Sequence, residues 1–311
     1  MHDTARHVRV EIPQFGLGGH ANGLIAGLYF ASVKFGTPPK EYHLQIDTGS
    51  SLIWISCTGC IGCPTESLLE DLHYFDPGNS TTVSSVNCRK RACTSVHKNV
   101  GGKCLKSNQC GYHLVYGGGR SYASGYILID QMTFEAVLEN TSQNISSTPI
   151  IFGCSTNLGG QLATNKKSVD GILGLGRQDI SVLNQLASTG QIPWVFSECL
   201  WSAGTGGGFL VFGEALDKTL TYTPLRPSKN HYIIALTSIA INGQILYIDP
   251  TVLRKGAVID SGTTLAYLVD GAYYPFSHAV NAVASEAGIN PQLEQDLCYS
   301  MPISRIPMYG A

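Results

Sequence analysis

Short runs of alternating apolar and polar residues recur along most of the chain and predict strands. Residues 27–46 contain two such runs on either side of a turn at 36–39, where proline fixes φ and withholds an amide donor. The runs at 207–214 and 231–248 continue the pattern, and the second is interrupted by Asn242-Gly243, a pair typical of hairpin turns. The pattern predicts a mainly β protein.

Apolar residues at helical spacing predict helices at two places in the chain. Residues 179–188 and 273–287 place apolar side chains three or four positions apart, and each segment is followed by a glycine, Gly190 or Gly288. Because glycine favours the left-handed conformation that ends helices, both segments are predicted to be helices that stop there.

Two short segments resemble each other. LQIDTGSSLIWI surrounds Asp47 and AVIDSGTTLAYL surrounds Asp260. In both, apolar residues lead into the aspartate, and a hydroxyl residue, glycine, two hydroxyl residues and leucine follow. The separation of 260 minus 47, or 213 residues, is far too long for a solenoid repeat. The repeat therefore predicts two lobes that present the same loop.

The composition is that of a globular protein and gives no indication of a strongly charged partner. The 311 residues are 43% apolar, and 20 basic against 22 acidic residues leave a net charge of -2. No run of Lys or Arg is long enough to follow a phosphate backbone, so nucleic acid is not an expected partner. The longest apolar stretches fall short of the roughly 18 residues of a membrane span, so none is predicted. We expect a monomer.

Each repeated segment surrounds its aspartate with residues that can hold the carboxylate. The glycine two positions later, Gly49 or Gly262, allows a tight turn and the close approach of a ligand. The hydroxyl three positions later, on Ser50 or Thr263, can donate a hydrogen bond to its own aspartate. One such loop could be an Asx-turn at a strand end, but two copies favour a functional pair.

The pair has a specific chemistry if the lobes bring the loops together. Asp47 and Asp260 would then lie at hydrogen-bonding distance, where two carboxylates share one proton and titrate as a unit. One carboxylate can act as general base toward water while the other acts as general acid toward a carbonyl oxygen. The sequence therefore predicts peptide hydrolysis without a covalent intermediate.

DTGS at Asp47 and DSGT at Asp260 resemble the paired active-site motifs of the pepsin-like aspartic proteases. DGILGLG at 170–176 is similar to the strand that crosses behind the first aspartate in that fold, and YGGGRSYASG at 116–125 is similar to the flap hairpin over the cleft. The resemblance runs from Gly27 to Cys298, which is most of the chain.

This resemblance implies a bilobal acid protease fold and an aspartic endopeptidase that acts on peptide or protein substrates, with no cofactor and no metal. It implies that Tyr116 and Gly117 belong to the flap, and that Trp54 hydrogen-bonds the flap tyrosine. Taken alone, Tyr116 is more often a hairpin or core aromatic and Trp54 a core residue, but the glycine-rich tip after Tyr116 favours the flap. The catalytic pair would be supported by Thr48, Gly49, Ser50, Ser261, Gly262 and Thr263.

Three cysteines at every third position, Cys57, Cys60 and Cys63, imitate the start of an iron–sulfur motif. Such a cluster needs a fourth thiolate three residues later, and Pro64 follows the third cysteine directly. Zinc stays open in principle. The ten cysteines are also an even number, as expected for disulfides.

The cysteine-rich segment is most similar to the plant nepenthesin-like branch of these proteases. That resemblance implies four disulfides, namely Cys57–Cys60, Cys63–Cys154, Cys88–Cys110 and Cys93–Cys104. Cys199 and Cys298 are left over, because in the family their partners lie nearer the C-terminus.

Three acceptor sequons, at Asn79, Asn140 and Asn144, lie in Ser- and Thr-rich segments that are predicted to be exposed loops and glycosylation sites. Together with disulfides they predict the secretory pathway or the extracellular space. Residues 1–20 contain no apolar run that could form the core of a signal peptide, so we expect the true start to lie elsewhere.

The predicted domains follow the repeat. Residues 1–26 are interpreted as a pro-segment remnant or linker, in which GLGGHA at 16–21 is a flexible stretch, and the catalytic lobes are expected at 27–224 and 225–311. Only 311 minus 260, or 51, residues follow Asp260, so the second lobe is expected to be incomplete.

The alternative is a catalytically inactive pepsin-like protein that binds or inhibits a partner, or an inactive truncated isoform. Inactive relatives usually lose one aspartate, and this chain keeps both. The flap tip is a departure from the family, because Gly118 and Arg120 replace the Asp and Ser of YGDGS. Cleavage of a denatured protein at acidic pH would separate these alternatives.

Overall fold

The computed structural model describes residues 12–20, 27–137, 143–190, 192–201, 207–214, 219–289, 291–293 and 297–299. These residues form two compact units, in agreement with the bilobal prediction. The first unit contains the described residues up to Leu220, with Lys229–Tyr232 and Asp260–Thr264. The second contains Thr221–Ser228, Ile233–Ile259 and the described residues from Leu265 onward. The loop of Asp260 therefore belongs to the same unit as Asp47.

An 11-stranded sheet forms the first unit within the described residues. Its strands are β1 (Ile12–His20), β2 (Leu28–Phe35), β3 (Lys40–Asp47), β4 (Trp54–Ile61), β5 (Ser84–Ser85), β6 (Gly111–Tyr116), β7 (Ser121–Val137), β8 (Gln143–Gly159), β9 (Gly171–Gly174), β10 (Ser197–Leu200) and β11 (Gly208–Val211). Their order is β10-β11-β1-β2-β3-β9-β4-β8-β7-β5, and β6 pairs with β7. The prediction of a mainly β protein is confirmed.

Three α-helices accompany this sheet in the described residues, α1 (Arg91–Val100), α2 (Gln161–Thr164) and α3 (Val182–Ser188). The helix predicted at 179–188 is confirmed as α3, but it begins later because the Ser181 side chain accepts a hydrogen bond from the Asn184 amide and caps the helix. The prediction of two helices missed both α1 and the short helix α2. The buried face of α1 consists of Cys93 and Val96. The apolar spacing does not reveal this helix, because Cys93 is interpreted as a disulfide cysteine and not as an apolar position.

Strand β1 corrects the interpretation of GLGGHA as a flexible stretch. Leu17 lies opposite Ala31 on β2, and Gln14 lies opposite Val211 on β11. Phe15 and Leu17 are buried in the main hydrophobic core. The glycines obscured a strand whose partners are distant in sequence, and Ala21 lies outside the described residues.

The strand that carries Asp47 is held from both sides. On one side β2 pairs with β3 in antiparallel fashion, and on the other β9 pairs with β3 in parallel, so that Asp47 lies opposite Gly174. Strand β9 also pairs with β4, where Trp54 lies opposite Ile172. Leu44 and Ile46 of β3 are fully buried in the core. The DGILGLG segment thus lies directly behind the first aspartate.

The same eight cysteines form disulfides, but the partners implied by the resemblance are wrong. The structure joins Cys57 to Cys154, Cys60 to Cys63, Cys88 to Cys104 and Cys93 to Cys110. The reason is strand and helix geometry: Cys57 and Cys154 are buried on the parallel pair β4 and β8, and Cys93 is buried on the face of α1 that meets Cys110. Cys199 is free.

The second unit has short strands in its described residues. Strands β12 (Leu225–Arg226), β13 (Ile233–Ile234) and β16 (Ala257–Val258) form one sheet; β14 (Ala240–Ile241) pairs with β15 (Gln244–Ile245), and β17 (Pro291–Leu293) pairs with β18 (Leu297–Tyr299). The hairpin predicted at Asn242-Gly243 is confirmed, since both residues have the positive φ values that its turn requires, 48° and 79°. The side chain of Cys298, on β18, lies outside the described residues.

The second unit also contains helices α4 (Pro250–Leu253) and α5 (Asp270–Glu286). Helix α5 confirms the helix predicted at 273–287, although it begins three residues earlier. In neither unit does a helix of the described residues have the length and apolar character needed to cross a bilayer.

Candidate active site

Asp47 is the last residue of β3, and its loop is bound to the segment that follows β9. The amide of Leu175 donates to the Asp47 carbonyl over 2.8 Å, and the amide of Gly176 donates to the Ser50 carbonyl over 2.7 Å. The Asp47 side chain is 5% exposed. The Gly49 amide donates to its Oδ1 over 2.9 Å, and the Ser50 hydroxyl donates to its Oδ2. The carboxyl group is thus fixed by its own loop.

Asp260 is held in the same way. The Gly262 amide donates to Asp260 Oδ1 over 2.9 Å, and the Thr263 hydroxyl donates to Oδ2 over 2.7 Å. The amide two residues later and the hydroxyl three residues later therefore have the same roles in both loops. The repeat seen in the sequence is a repeat of hydrogen-bonding geometry.

Thr48 and Ser261 join the two loops. The Ser261 amide donates to Thr48 Oγ1 over 2.9 Å, and the Thr48 amide donates to Ser261 Oγ over 3.2 Å. The Ser261 hydroxyl also donates to the Ile46 carbonyl over 3.2 Å. Each loop thus satisfies backbone groups of the other, which fixes their separation.

The two carboxyl groups are neighbours, close enough for the charge of Asp260 to raise the pKa of Asp47. Glycine is required on both sides of the pair: a Cβ added at Gly49 would lie 2.5 to 2.7 Å from the Asp260 carboxyl atoms. A Cβ added at Gly262 would collide with Asp47 Oδ1 and lie 3.2 Å from Asp260 Oδ1. A side chain at either position would force the carboxyl groups apart.

Burial raises the pKa of Asp47, the hydrogen bond from Ser50 lowers it, and the neighbouring charge of Asp260 raises it, so that the resulting pKa is about 6. The cause is the cost of an ionised carboxylate in a place that water barely reaches. A proton is therefore retained at this position under mildly acidic conditions.

Trp54 and Tyr116 form a link between β4 and the β6–β7 hairpin. Trp54 Nε1 donates to the Tyr116 hydroxyl over 2.8 Å, and Trp54 is 2% exposed. Burial raises the pKa of the Tyr116 hydroxyl, and so does the nearby charge of Asp47. The hydrogen bond from Trp54 thus fixes the tyrosine hydroxyl in the neighbourhood of the Asp47 carboxyl.

The tip of the β6–β7 hairpin consists of three glycines, Gly117–Gly119. Their φ values are 56°, 66° and 97°, a region that other residues rarely adopt, and nothing lies within 4 Å of a Cβ added to any of them. The departure from the family at Gly118 therefore fits a tip built from glycine, and Arg120 is exposed beside it.

Two contacts to the Asp260 loop were not predicted from the sequence. Gln45 Nε2 donates to the Gly262 carbonyl over 3.2 Å, and the Thr264 hydroxyl donates to the Gly27 carbonyl over 2.8 Å. Comparison of the two repeated segments could have pointed to Gln45, because it is polar whereas the corresponding residue of the second segment is Val258.

One group of potential metal ligands occurs among the described residues, Cys93, His97 and Cys110. Its two sulfurs are joined to each other in a disulfide, so they are not available as thiolates.

Of the sequons, Asn79 is exposed in a 3-10 turn, and its side-chain amide donates to Asp76 over 2.7 Å. Asn140 lies outside the described residues, and Asn144 is on β8 with an undescribed side chain.

The sheet, the paired aspartate loops and the strand behind Asp47 define a pepsin-like protein. Residues 29–214 match the family model described as xylanase inhibitor N-terminal, and residues 231–308 match the one described as xylanase inhibitor C-terminal. Aspartic proteinase 39 of Arabidopsis thaliana is 37% identical over 272 residues, which are 86% of this chain and 56% of that protein. Aspartic proteinase 36 of the same plant is 35% identical over 290 residues, 90% of this chain and 59% of the relative. The chain belongs to the plant pepsin-like aspartic protease family.

The chain spans less than two thirds of the length of these two curated relatives. Solved structures support the fold. The crystal structure of edgp has a TM-score of 0.70 and 22% identity, and the match covers 94% of this chain and 75% of that one. Soybean basic 7S globulin has a TM-score of 0.69 and 20% identity, with 93% and 74% covered.

Proposed function

We propose that the chain carries the catalytic pair of an aspartic endopeptidase. The observation that supports this function best is the closeness of Asp47 and Asp260, since a Cβ added at Gly262 would collide with Asp47 and lie 3.2 Å from Asp260 Oδ1. Burial and the second carboxyl raise the pKa of Asp47, which is about 6. A pair that keeps one proton at acidic pH combines a general base and a general acid in one site. The names of the curated relatives, aspartic proteinases, agree with this proposal.

In the proposed reaction the ionised carboxyl accepts a proton from water, and the protonated carboxyl donates its proton to the carbonyl oxygen of the scissile peptide. A tetrahedral intermediate forms without a covalent bond to the protein. The proton is assigned to the pair and not to one member, because strongly coupled groups titrate together. Ser50 and Thr263 would hold the carboxyl planes in the geometry that this exchange requires.

Tyr116 and Gly117 are proposed to contact the substrate from the β6–β7 hairpin. The hydrogen bond from Trp54 supports this role, because it orients the tyrosine hydroxyl toward Ser50 and Asp47. The expected substrate is an extended peptide segment, which can pair with a hairpin edge through its backbone.

A second candidate is a binding or inhibitor protein that does not cleave its partner. The description of the two matching family models as xylanase inhibitor domains favours it. The presence of both aspartates, with complete hydrogen bonding around each, favours the protease.

The decisive experiment combines cleavage with binding. The 311-residue chain is incubated with denatured protein at acidic pH, and binding of a transition-state-like peptide inhibitor is measured by calorimetry. Cleavage that the inhibitor blocks supports the endopeptidase. Inhibitor binding without cleavage supports the binding protein, and neither cleavage nor binding would contradict the assignment of this site.

We also propose that the protein is monomeric and folds in the secretory pathway. The four disulfides support that location, since such bonds persist in oxidising compartments. Expression of the tagged protein from its full-length gene in plant cells, followed by fractionation, tests the location, and recovery in the cytosol would contradict it.

A further inference from the structure

We propose that Gln45 is a positioning residue for the carboxyl pair and acts through Gly262. This inference rests on the proposed function of Asp47 and Asp260 and adds a residue that the aspartate motifs do not contain. Gln45 lies on β3, two positions before Asp47, and its side-chain amide is 3.2 Å from the Gly262 carbonyl oxygen.

Gln45 is the polar member of an otherwise apolar row. It lies opposite Phe30 on β2 and opposite Ile172 on β9, and Ile172 lies opposite Trp54 on β4. Opposite residues on neighbouring strands point to the same side of a sheet, so these four side chains share one face. The other three are apolar and buried. An amide in this row needs a partner, and the Gly262 carbonyl provides one.

The surroundings of Gln45 are partly enclosed. Gln45, Trp54 and Ile172 line a cavity of about 40 Å³, whose wall contains both apolar residues such as Leu28 and Leu158 and polar ones such as Asn165. The hydrogen bond between Gln45 and Gly262 is partly buried, so competition from water is reduced and the bond is stronger than it would be in full solvent. The contact is therefore more effective as an anchor than an exposed amide would be.

Gly262 touches both carboxyl groups, so its position matters to the pair. Its amide donates to Asp260 Oδ1 over 2.9 Å. Its α carbon is so near the pair that an added Cβ would collide with Asp47 Oδ1. By holding the carbonyl of Gly262, Gln45 fixes the residue that orients Asp260 and limits its approach to Asp47.

Comparison of the two repeated segments distinguishes the positioning role of Gln45 from a role in strand packing alone. The second copy has Val258 where the first has Gln45, while the aspartate, glycine and hydroxyl positions are kept in both. Packing of the strand is therefore compatible with an apolar residue at this position. The glutamine adds a cross-loop hydrogen bond that only the first copy supplies.

The test uses two variants that change the hydrogen bond to Gly262 in different ways. Gln45→Met keeps the length of the side chain and removes the donor, and Gln45→Glu can donate only when its carboxyl is protonated. We expect Gln45→Met to lower kcat about tenfold, the effect of one net hydrogen bond, with KM changed less than about twofold. We expect Gln45→Glu to approach wild-type activity near pH 3 and to lose it more steeply than wild type as the pH rises. Gln131→Met, which loses only a surface contact with Ser147, is the matched control.

Hydrogen exchange gives a readout that does not need activity. The amides of Gly262 and Thr263 should exchange faster in Gln45→Met than in wild type and in Gln131→Met. If wild type cleaves nothing but this acceleration is seen, the proposed function fails and the positioning role stands. Unchanged exchange, or a loss of activity that follows only the melting temperature and leaves the pH profile unchanged, would overturn the role of Gln45.

Discussion

Thr48 and Ser261 exchange hydrogen bonds in both directions across 213 positions of sequence. Each residue offers its amide to the side-chain oxygen of the other, and Thr48 is 3% exposed. Because each loop completes the hydrogen bonding of the other, neither has its full set of partners alone. The geometry of the carboxyl pair thus depends on groups that are not themselves ionisable.

Thr48→Val tests this link. Valine has the shape of threonine but cannot accept the Ser261 amide, and a buried amide without a partner costs about 1 to 3 kcal/mol. We expect the free energy of unfolding in urea to fall by that amount and the Ser261 amide to exchange faster. Thr58→Val, at an exposed position, is the control. An unchanged Ser261 exchange rate would contradict the role of Thr48.

Asp47→Asn and Asp260→Asn should each reduce peptide hydrolysis about 100-fold or more at acidic pH, because an amide can neither accept the proton of water nor share a proton with the second carboxyl. The change in side-chain shape is small, so the fold should persist in both variants. Turnover and circular dichroism are measured together, with Asp71→Asn as an exposed control. Substantial turnover by either variant would show that the pair is not catalytic.

The same substitution at Asp47 should have a pH-dependent effect on stability. Folding raises the pKa of Asp47 from 3.8 to about 6, so between these values the folded state binds more protons than the unfolded one and loses stability as the pH rises. A shift of roughly two units corresponds to about 3 kcal/mol at neutral pH. Asp47→Asn should therefore be more stable than wild type at pH 7, by up to about 3 kcal/mol.

That advantage should shrink as the pH falls toward 4, where the folded wild-type carboxyl is protonated and the unfolded one, with a pKa of 3.8, is only partly ionised. Denaturant unfolding at pH 4 and pH 7 measures it, and Asp71→Asn controls for the loss of one exposed charge. A stability difference that is the same at both pH values would contradict the raised pKa.

The disulfide between Cys57 and Cys154 should stabilise the fold far more than the one between Cys60 and Cys63. The sequence separations are 97 and 3 residues, and in the chain-entropy model the longer loop contributes about 4 to 5 kcal/mol against about 2 for the shorter. Double alanine variants of each pair, compared by denaturant unfolding, test the difference. Peptide mapping of the unreduced protein that linked Cys63 to Cys154 would contradict the pairing.

Asn79 stays a predicted glycosylation site. It is exposed in a 3-10 turn, and its side-chain nitrogen would keep one hydrogen for Asp76 after a glycan is attached. Secreted protein should therefore lose one glycan's mass in Asn79→Gln, as measured by intact-mass spectrometry with and without glycosidase. Asn87→Gln, outside any sequon, is the control. Equal masses for Asn79→Gln and wild type after secretion would show that the site is not used.

The two aspartate loops could be read from the sequence because the hydrogen bonds within each loop are local. The amide and hydroxyl that hold Asp47 come from Gly49 and Ser50, so a four-letter motif contains the geometry. The link between Trp54 and Tyr116 could only be named by resemblance, since nothing local in the sequence joins residues 62 positions apart.

Features that depend on the register of distant strands could not be read in this way. The partner of Cys57 follows from the alignment of β4 beside β8, which no spacing of cysteines encodes. Strand β1 was missed because its glycines suggest a flexible segment, while its actual partners are on β2, β7 and β11. Gln45 was overlooked because its hydrogen bond reaches Gly262, 217 positions away.

The pairing of β1 with β11 has a consequence for synthesis on the ribosome. Gln14 meets Val211, so 211 minus 14, or 197, residues must be added before that edge of β1 can close. At about 5 to 20 residues per second this takes about 10 to 40 s. The Asp260 segment is synthesised later still. Until it has been added, Asp47 lies in a partly synthesised chain without the second carboxyl of the pair.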